Sequence, residues 1–330
     1  MKKNILVSIL FFTAAALSQN ANLGTSAAKF LQIPISARAS GMGGAYIATA
    51  DDATSLFWNP AGSAKIESDA AHFSYLNLYS QFDFNAAAIS HYMGDAGVIS
   101  GSFISLSMGK TEITTEEQPN GTGRYYDAQD LALGLTYAVR LSNEFNIGIT
   151  AKYIHQRIWN ETAEGIAFDI GTQYRVDFNN LIIAMCMTNF GSDLRFDGED
   201  LNINYLRNQN YPISRLAPGR LQTSDDPLPL NFQIGAAMDF YNDEMFTLRG
   251  EIDASHPNDN NERLNAGIEA SFYKRIFLRV GERINYDDEN LTFGAGVTIP
   301  LMNSNIRFDF SYANFILLPD LYRYSIEIEF

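Results

Sequence analysis

From His72 to the end, the chain alternates apolar and polar residues with a period of two. That is the pattern of a strand with one face in an apolar medium and the other in a polar one. Residues 292–299 set Phe293, Ala295, Val297 and Ile299 against Thr292, Gly294, Gly296 and Thr298. Residues 264–272 and 246–254 repeat it, the second with Ile252 and Ala254 opposite Arg249, Glu251 and Asp253. About fourteen such segments follow one another, and an even number of roughly ten-residue alternating strands is the signature of an outer-membrane barrel. They are placed at 72–80, 82–93, 97–114, 127–141, 145–159, 165–176, 181–195, 230–241, 245–256, 263–273, 276–286, 290–299, 306–316 and 321–330.

The connections supply a second signal. With both ends of the barrel in the periplasm, every second connection should be tight, and 94–96, 142–144, 177–180, 242–244, 274–275 and 301–305 all are. The outer connections should include the long ones: 115–126, 160–164, 196–229 and 257–262. A soluble β-sandwich would also alternate, but here the polar faces carry charges of both signs, among them Glu269, Arg279, Arg307, Asp309, Arg323 and Glu327. The apolar faces begin and end in aromatics such as Phe145, Tyr153, Tyr174, Phe240, Phe272, Tyr312 and Tyr324, which suits the two interfaces of a bilayer. The expected fold is therefore all-β: a transmembrane antiparallel β-barrel of about fourteen strands.

One stretch departs from the alternation. Residues 36–62 are rich in Gly and Ala and have no sustained period. Gly41, Gly43 and Gly44 permit windings that a side chain would forbid, and Asn59-Pro60 is a turn signal. Short helical turns are expected at 45–50 and 53–57. A barrel of this size has a bore wide enough to leak unless something occupies it. The stretch lies just before the first strand on the periplasmic side, so the expectation is an N-terminal plug folded back into the lumen.

Composition narrows the picture further. No apolar run long enough for a helical span occurs after the N-terminus. Lys2 and Lys3, an apolar run over 5–16 and the small residues Ala16 and Ser18 read as a signal peptide, with the mature start near Gln19. The expected division is 1–18 signal peptide, 19–70 plug and 71–330 barrel. The formal charge is −15, and −17 once Lys2 and Lys3 are removed, which excludes nucleic acid as a partner. Cys186 is the only cysteine, so there is no intrachain disulfide.

Candidate residues each carry two readings. Asn59, Pro60 and Ala61 either hold or gate the plug, or form only the turn that launches the first strand. Arg38, Asp51 and Asp52 either form ion pairs tying the plug to itself and to lumen charges, or decorate a solvated turn. Leu206, Tyr211, Ile213 and Leu216 make the long connection 196–229 apolar, which suits a greasy ligand or a partner protein, or simply packs the loop over the barrel mouth. The acidic loops 258–262 and 287–290 lack the ligand ladder of a calcium site. His72, His91, His155 and His256 are scattered, and neither H-E-x-x-H nor G-x-S-x-G occurs. No catalytic site, metal or cofactor is expected.

Residues 29–66 resemble the PorV/PorQ family, which belongs with the FadL-like outer-membrane transport barrels. The resemblance rests on Ser36-Ala37-Arg38-Ala39, Gly41-Met42-Gly43-Gly44, Ala50-Asp51-Asp52-Ala53 and Trp58-Asn59-Pro60-Ala61-Gly62. It is sharp over this segment and architectural over the rest. It implies a plugged barrel in the bacterial outer membrane that supports transport or type IX secretion. The alternative it implies is a FadL-like channel for long-chain fatty acids or other hydrophobic small molecules. Expected partners are outer-membrane lipid, secretion-system or exported proteins, a hydrophobic ligand, and the barrel-insertion machinery, which would read the terminal strand ending in Phe330.

Overall fold

The computed structural model describes residues 23–79, 81–206, 216–302 and 304–330. The expected leader, Tyr211 and Ile213 lie outside the described residues. Fourteen long strands form one closed antiparallel sheet. The first seven are β1 (Ala70–Leu78), β2 (Phe82–Tyr92), β3 (Val98–Glu112), β4 (Tyr125–Arg140), β5 (Phe145–Ile158), β6 (Glu161–Val176) and β7 (Leu181–Gly191). The second seven are β8 (Asn231–Asn242), β9 (Phe246–Pro257), β10 (Arg263–Phe272), β11 (Ile276–Ile284), β12 (Glu289–Leu301), β13 (Ser304–Phe315) and β14 (Leu321–Glu329). Each strand is laddered to its sequence neighbour, and the ring closes where β1 pairs with β14, from Ala70↔Glu329 to Leu76↔Arg323. Closure leaves no edge of unpaired backbone, the condition a sheet must meet in hydrocarbon.

The alternation resolves into two surfaces. Ile149, Ile166, Ile170, Phe232, Ile252, Ile268 and Phe293 point outward and are exposed. Thr136, Thr150, Asp169, Gln173, Glu251, Asp253, Arg279 and Arg323 point inward and are at most 4% exposed. The polar face is thus the buried one, the reverse of a soluble domain.

The turns at one end are short throughout, and the opposite end carries the long connections. Residues 160–164 differ from expectation. β5 and β6 stay paired as far as Ile158↔Glu161, so the connection is a tight turn with Trp159 at φ 54°. The polar residues Thr162 and Glu164 lie on the outward face while Ala163 is buried inward, so the strand simply continues beyond its apolar band. The connection between β7 and β8 contains a short hairpin, Asn202–Leu206 against Leu216–Arg220.

The helices are few: before the first strand come α1 (Ala37–Gly41), α2 (Ser55–Trp58) and 3-10 turns over Lys29–Gln32 and Pro60–Lys65, and two further 3-10 turns, Gly94–Ala96 and Glu199–Leu201, lie in the connections. Residues 45–50, expected to be helical, are not. One turn closes where Ala50 donates its N–H to Tyr46 O at 2.9 Å, but the N–H groups of 46–49 are taken by carboxylates of the barrel wall, so no helix propagates. A hydrophobic cluster fills the long-loop half of the bore. Phe30 and Ile35 pack there with Leu76, Phe84, Ile104 and Ile154 of the wall and with Leu194 and Leu228 of the long connection.

Candidate functional site

Residues 23–66 run along the interior of the barrel. At the long-loop end, Gly24 donates its N–H to the carbonyl of Asp259 at 3.2 Å and Ala27 donates to that of Pro227 at 2.9 Å. The buried carboxylate of Asp259 takes hydrogen bonds from Ser26, Lys29 and Gln32. Burial pushes this carboxyl up, but the bonds from Lys29, Ser26 and Gln32 outweigh it and hold the group below its ordinary value. At the other end, Ile66 packs with Ala53, Ala70 and Val98, beside the start of β1. The segment therefore enters at the long loops and leaves at the short turns, a longer path than a fold-back from the short-turn side.

Ion pairs hold its lower part. Arg38 donates to Asp51 at 2.6 Å, to Asp52 at 2.9 Å and to Glu269 of β10 at 3.4 Å. Glu269 accepts from Arg279 of β11 at 2.6 Å, and Arg279 reaches Asp309 of β13 at 2.6 Å. Asp309 pairs with Arg307 at 3.0 Å, and Arg307 returns to Asp52. The sequence Arg38–Glu269–Arg279–Asp309–Arg307–Asp52 is a closed ring of alternating charge, with two members from the segment and four from the wall. Glu327 joins it through Arg307 at 3.2 Å. Removing one member of such a buried network strands its partners, which is why the ring specifies position. Burial alone would raise the Asp52 carboxyl, but Arg307 and Arg38 hold it well below the usual carboxylate range. Burial opposes the Arg38 charge, and Asp51, Glu269 and Asp52 more than restore it.

The backbone of 46–50 is clamped as well. Tyr46 and Ile47 donate N–H to Asp253 at 2.8 and 3.2 Å, while Ala48 and Thr49 donate to Glu251 at 2.6 and 3.0 Å. Gln173 donates to the carbonyls of Ile47, Ala48 and Ala50 at 3.0–3.2 Å. Asn59 donates to Ile47 O at 2.9 Å and to Thr172 O of β6 at 3.2 Å, while its own oxygen accepts from Ala61 N. Pro60 opens the following 3-10 turn, so 59–61 anchors to the wall well before β1 begins at Ala70.

Glycines let the two surfaces touch. A Cβ on Gly281 would lie 2.0 Å from Gly43 N, and one on Gly171 would lie 1.9 Å from the Asn59 oxygen. Gly41 faces Gly294, where its own Cβ would come within 2.8 Å of backbone. Gly43 and Gly44 adopt φ of 70° and 80°, conformations that favour glycine.

The structure thus gathers Arg38, Gly41, Gly43, Gly44, Asp51, Asp52, Asn59, Pro60 and Ala61 inside the bore. Leu206 and Leu216 are elsewhere, at paired backbone positions of the loop hairpin. Sequence reading missed the wall partners Glu269, Arg279, Arg307, Asp309, Glu251, Asp253 and Gln173 as a set. Their signal was the charge of both signs on one strand face. It placed 23–35 within the expected 19–70 plug but singled out none of its residues, since Phe30 and Ile35 carried no periodic cue.

Above the clamped turn lies a cavity of about 200 Å³, bordered by Ile33, Phe57, Trp58, Lys152, Arg263 and Tyr286 among others.

A family model described as Type IX secretion system protein PorV matches residues 16–256. The chain belongs to the PorV family. No curated protein matches it. Among solved structures it is similar to the CymD monoaromatic hydrocarbon channel, at 10% identity and TM-score 0.59, covering 90% of this chain and 98% of that one. It is also similar to the Ralstonia pickettii toluene transporter TbuX, at 12% identity and TM-score 0.54, covering 88% and 96%. A Pseudomonas aeruginosa FadL homologue gives 10% identity and TM-score 0.53, covering 90% and 98%. At such identities the likeness is one of fold. The family is that of a type IX secretion system protein, and the fold is the one that these solved channels have. This PorV-family chain is an outer-membrane β-barrel, with its short turns in the periplasm and its long connections outside.

Proposed function

We propose that this PorV-family barrel serves type IX secretion as a closed docking module, not as a pore, with residues 19–70 acting as its plug once the leader 1–18 is removed. The observation that supports this is the occupied bore. Residues 23–66 cross it, bound by the ion ring, the carboxylate clamp and glycine contacts. Among the described residues, every adjacent pair of strands is also laddered. Exported or secretion-system proteins would bind at the outer rim, where the long connection offers exposed Tyr205, Leu216 and Leu221. Insertion into the membrane would use the terminal strand β14 and Phe330. The test is a deletion strain complemented with this gene. Secretion should fail without it and return with it, and the purified barrel should pass no ionic current in a planar bilayer. Normal secretion in the deletion strain removes the proposal.

The cavity beside Ile33 and Phe57 favours a second reading, uptake of hydrophobic small molecules. The hydrocarbon channel and toluene transporter named above share the fold. Uptake predicts slower growth of the deletion strain on such a compound with secretion intact.

A further inference from the structure

We infer that the cavity at the outer end of the bore is a binding site for a compact organic monoanion, a carboxylate or sulfonate carried on a small ring. This site is separate from the docking role proposed above. The first argument is charge. The lining contains Lys152, Arg263 and Arg283 against Asp169 and Glu289, one positive charge in excess. Lys152 is matched by Asp169 at 2.8 Å, and Arg283 is paired with Glu289. Arg263 makes no ion pair among the described residues, the neighbouring Glu262 being paired with His256, and its Nε is buried without a hydrogen-bond partner. Its guanidinium carbon lies 4.5 Å from the centre of the Tyr286 ring, and that of Arg283 lies 5.5 Å from the same ring. Two guanidiniums on one ring repel, and an anion between them removes that repulsion and satisfies the orphan donor.

The second argument is size and shape. A dry cavity of about 150 Å³ accommodates benzene, so about 200 Å³ holds one ring and one acidic group. A long acyl chain does not fit. Ile33, Phe57, Ile104 and Trp58 supply apolar surface for the ring. Arg263 and Tyr286 are half-buried at the outer rim, while Gly44 and Leu56 of the segment form the floor. Such a site is entered from outside and closed below. A neutral hydrocarbon would leave Arg263 unpartnered.

Trp58 borders the cavity, and the only other tryptophan, Trp159, lies in the β5–β6 turn against Arg124. In a Trp159→Phe background, full-length protein in nanodiscs is titrated with benzoate and with benzyl alcohol in chloride-free buffer. Trp58 emission and ligand-observed NMR report binding. Benzoate should give a saturable change at least tenfold tighter than benzyl alcohol. Arg263→Met should weaken benzoate at least tenfold and leave benzyl alcohol unaltered, whereas Arg263→Lys should retain most benzoate binding. Heat-modifiable migration on gels checks that each variant is folded. Equal binding of the two probes, benzoate binding unaffected in Arg263→Met, or no saturable benzoate signal would each overturn the inference. An equal response to chloride would also overturn it, by reducing the site to one for a simple halide.

Discussion

The two halves of the bore hold the same segment by different forces. In the outer half, residues 27–35 press Phe30 and Ile35 into an apolar cluster with Leu76, Phe84, Ile104 and Leu228. In the periplasmic half, residues 36–66 are held by a ring of ion pairs and by carboxylates that take four consecutive backbone N–H groups. Apolar burial is non-directional and tolerates small shifts, whereas a buried charge network is satisfied in one arrangement and costly in others. The outer half therefore supplies adhesion, and the inner half fixes register.

Variants that attack the inner half should have the largest effects. Gly281→Val places a Cβ 2.0 Å from Gly43 N and 2.1 Å from Met42 C, and both of these belong to backbone that cannot swing aside. The segment should fail to dock, and planar-bilayer recordings should change from silent to steadily conducting. A silent Gly281→Val barrel would show that the glycine contacts do not position the segment.

Arg38→Met should come next. It leaves Asp52 and Glu269 short of a cation, a loss of about 3–5 kcal/mol for a broken buried pair. Hydrogen exchange over 36–66 should accelerate accordingly, and adding Asp52→Asn should recover part of the loss. In the outer half, Ile35→Val should cost about 1 kcal/mol. Its effect should be insensitive to salt.

The clamp also predicts a pH dependence. Lys65 donates to the carbonyls of Ala48 and Ala50 at 3.4 and 3.2 Å, and burial lowers its ammonium to about 8 from its ordinary 10.5. Between these values the undocked segment binds more protons than the docked one, so docking should strengthen as pH rises through that window. Exchange over 46–50, corrected for its intrinsic pH dependence, should slow from pH 8 to 10, and Lys65→Met should abolish the trend. Asp52 works in the opposite range. Its depressed value gives stability that is present above the ordinary carboxylate pKa and lost as pH falls through the docked value, so it predicts no weakening from pH 8 to 5.

The smallest effect belongs to the outer anchor. Asp259→Asn should loosen residues 24–32, detected as faster proteolysis from the outside, with conductance still absent.

Much of this was legible from residue order. Strand positions followed from alternation because the two faces of a barrel wall meet different media, lipid and a polar interior. The stretch 36–62 stood out because it broke that alternation, and its Arg38, Asp51 and Asp52 had the composition of an ion-paired cluster. The partners of those charges were not legible. Glu269, Arg279, Arg307 and Asp309 sit on three strands distributed over some forty positions, and only closure of the sheet aligns them. The turn at 159–160 was misread for a related reason: small polar residues mark a loop in most contexts, but on a strand rising beyond the bilayer they are ordinary wall residues.

The sequence by itself determined the strand period, the inside-out polarity and the irregular segment before the first strand, because each depends on local chemistry repeating along the chain. The tertiary structure alone decided the path of that segment from the outer mouth to the periplasmic end, the circular order of the buried charges and the unpaired Arg263 beside its cavity. Those depend on which strands become neighbours when the sheet closes, and distances across a bore are not encoded in any one stretch of residues.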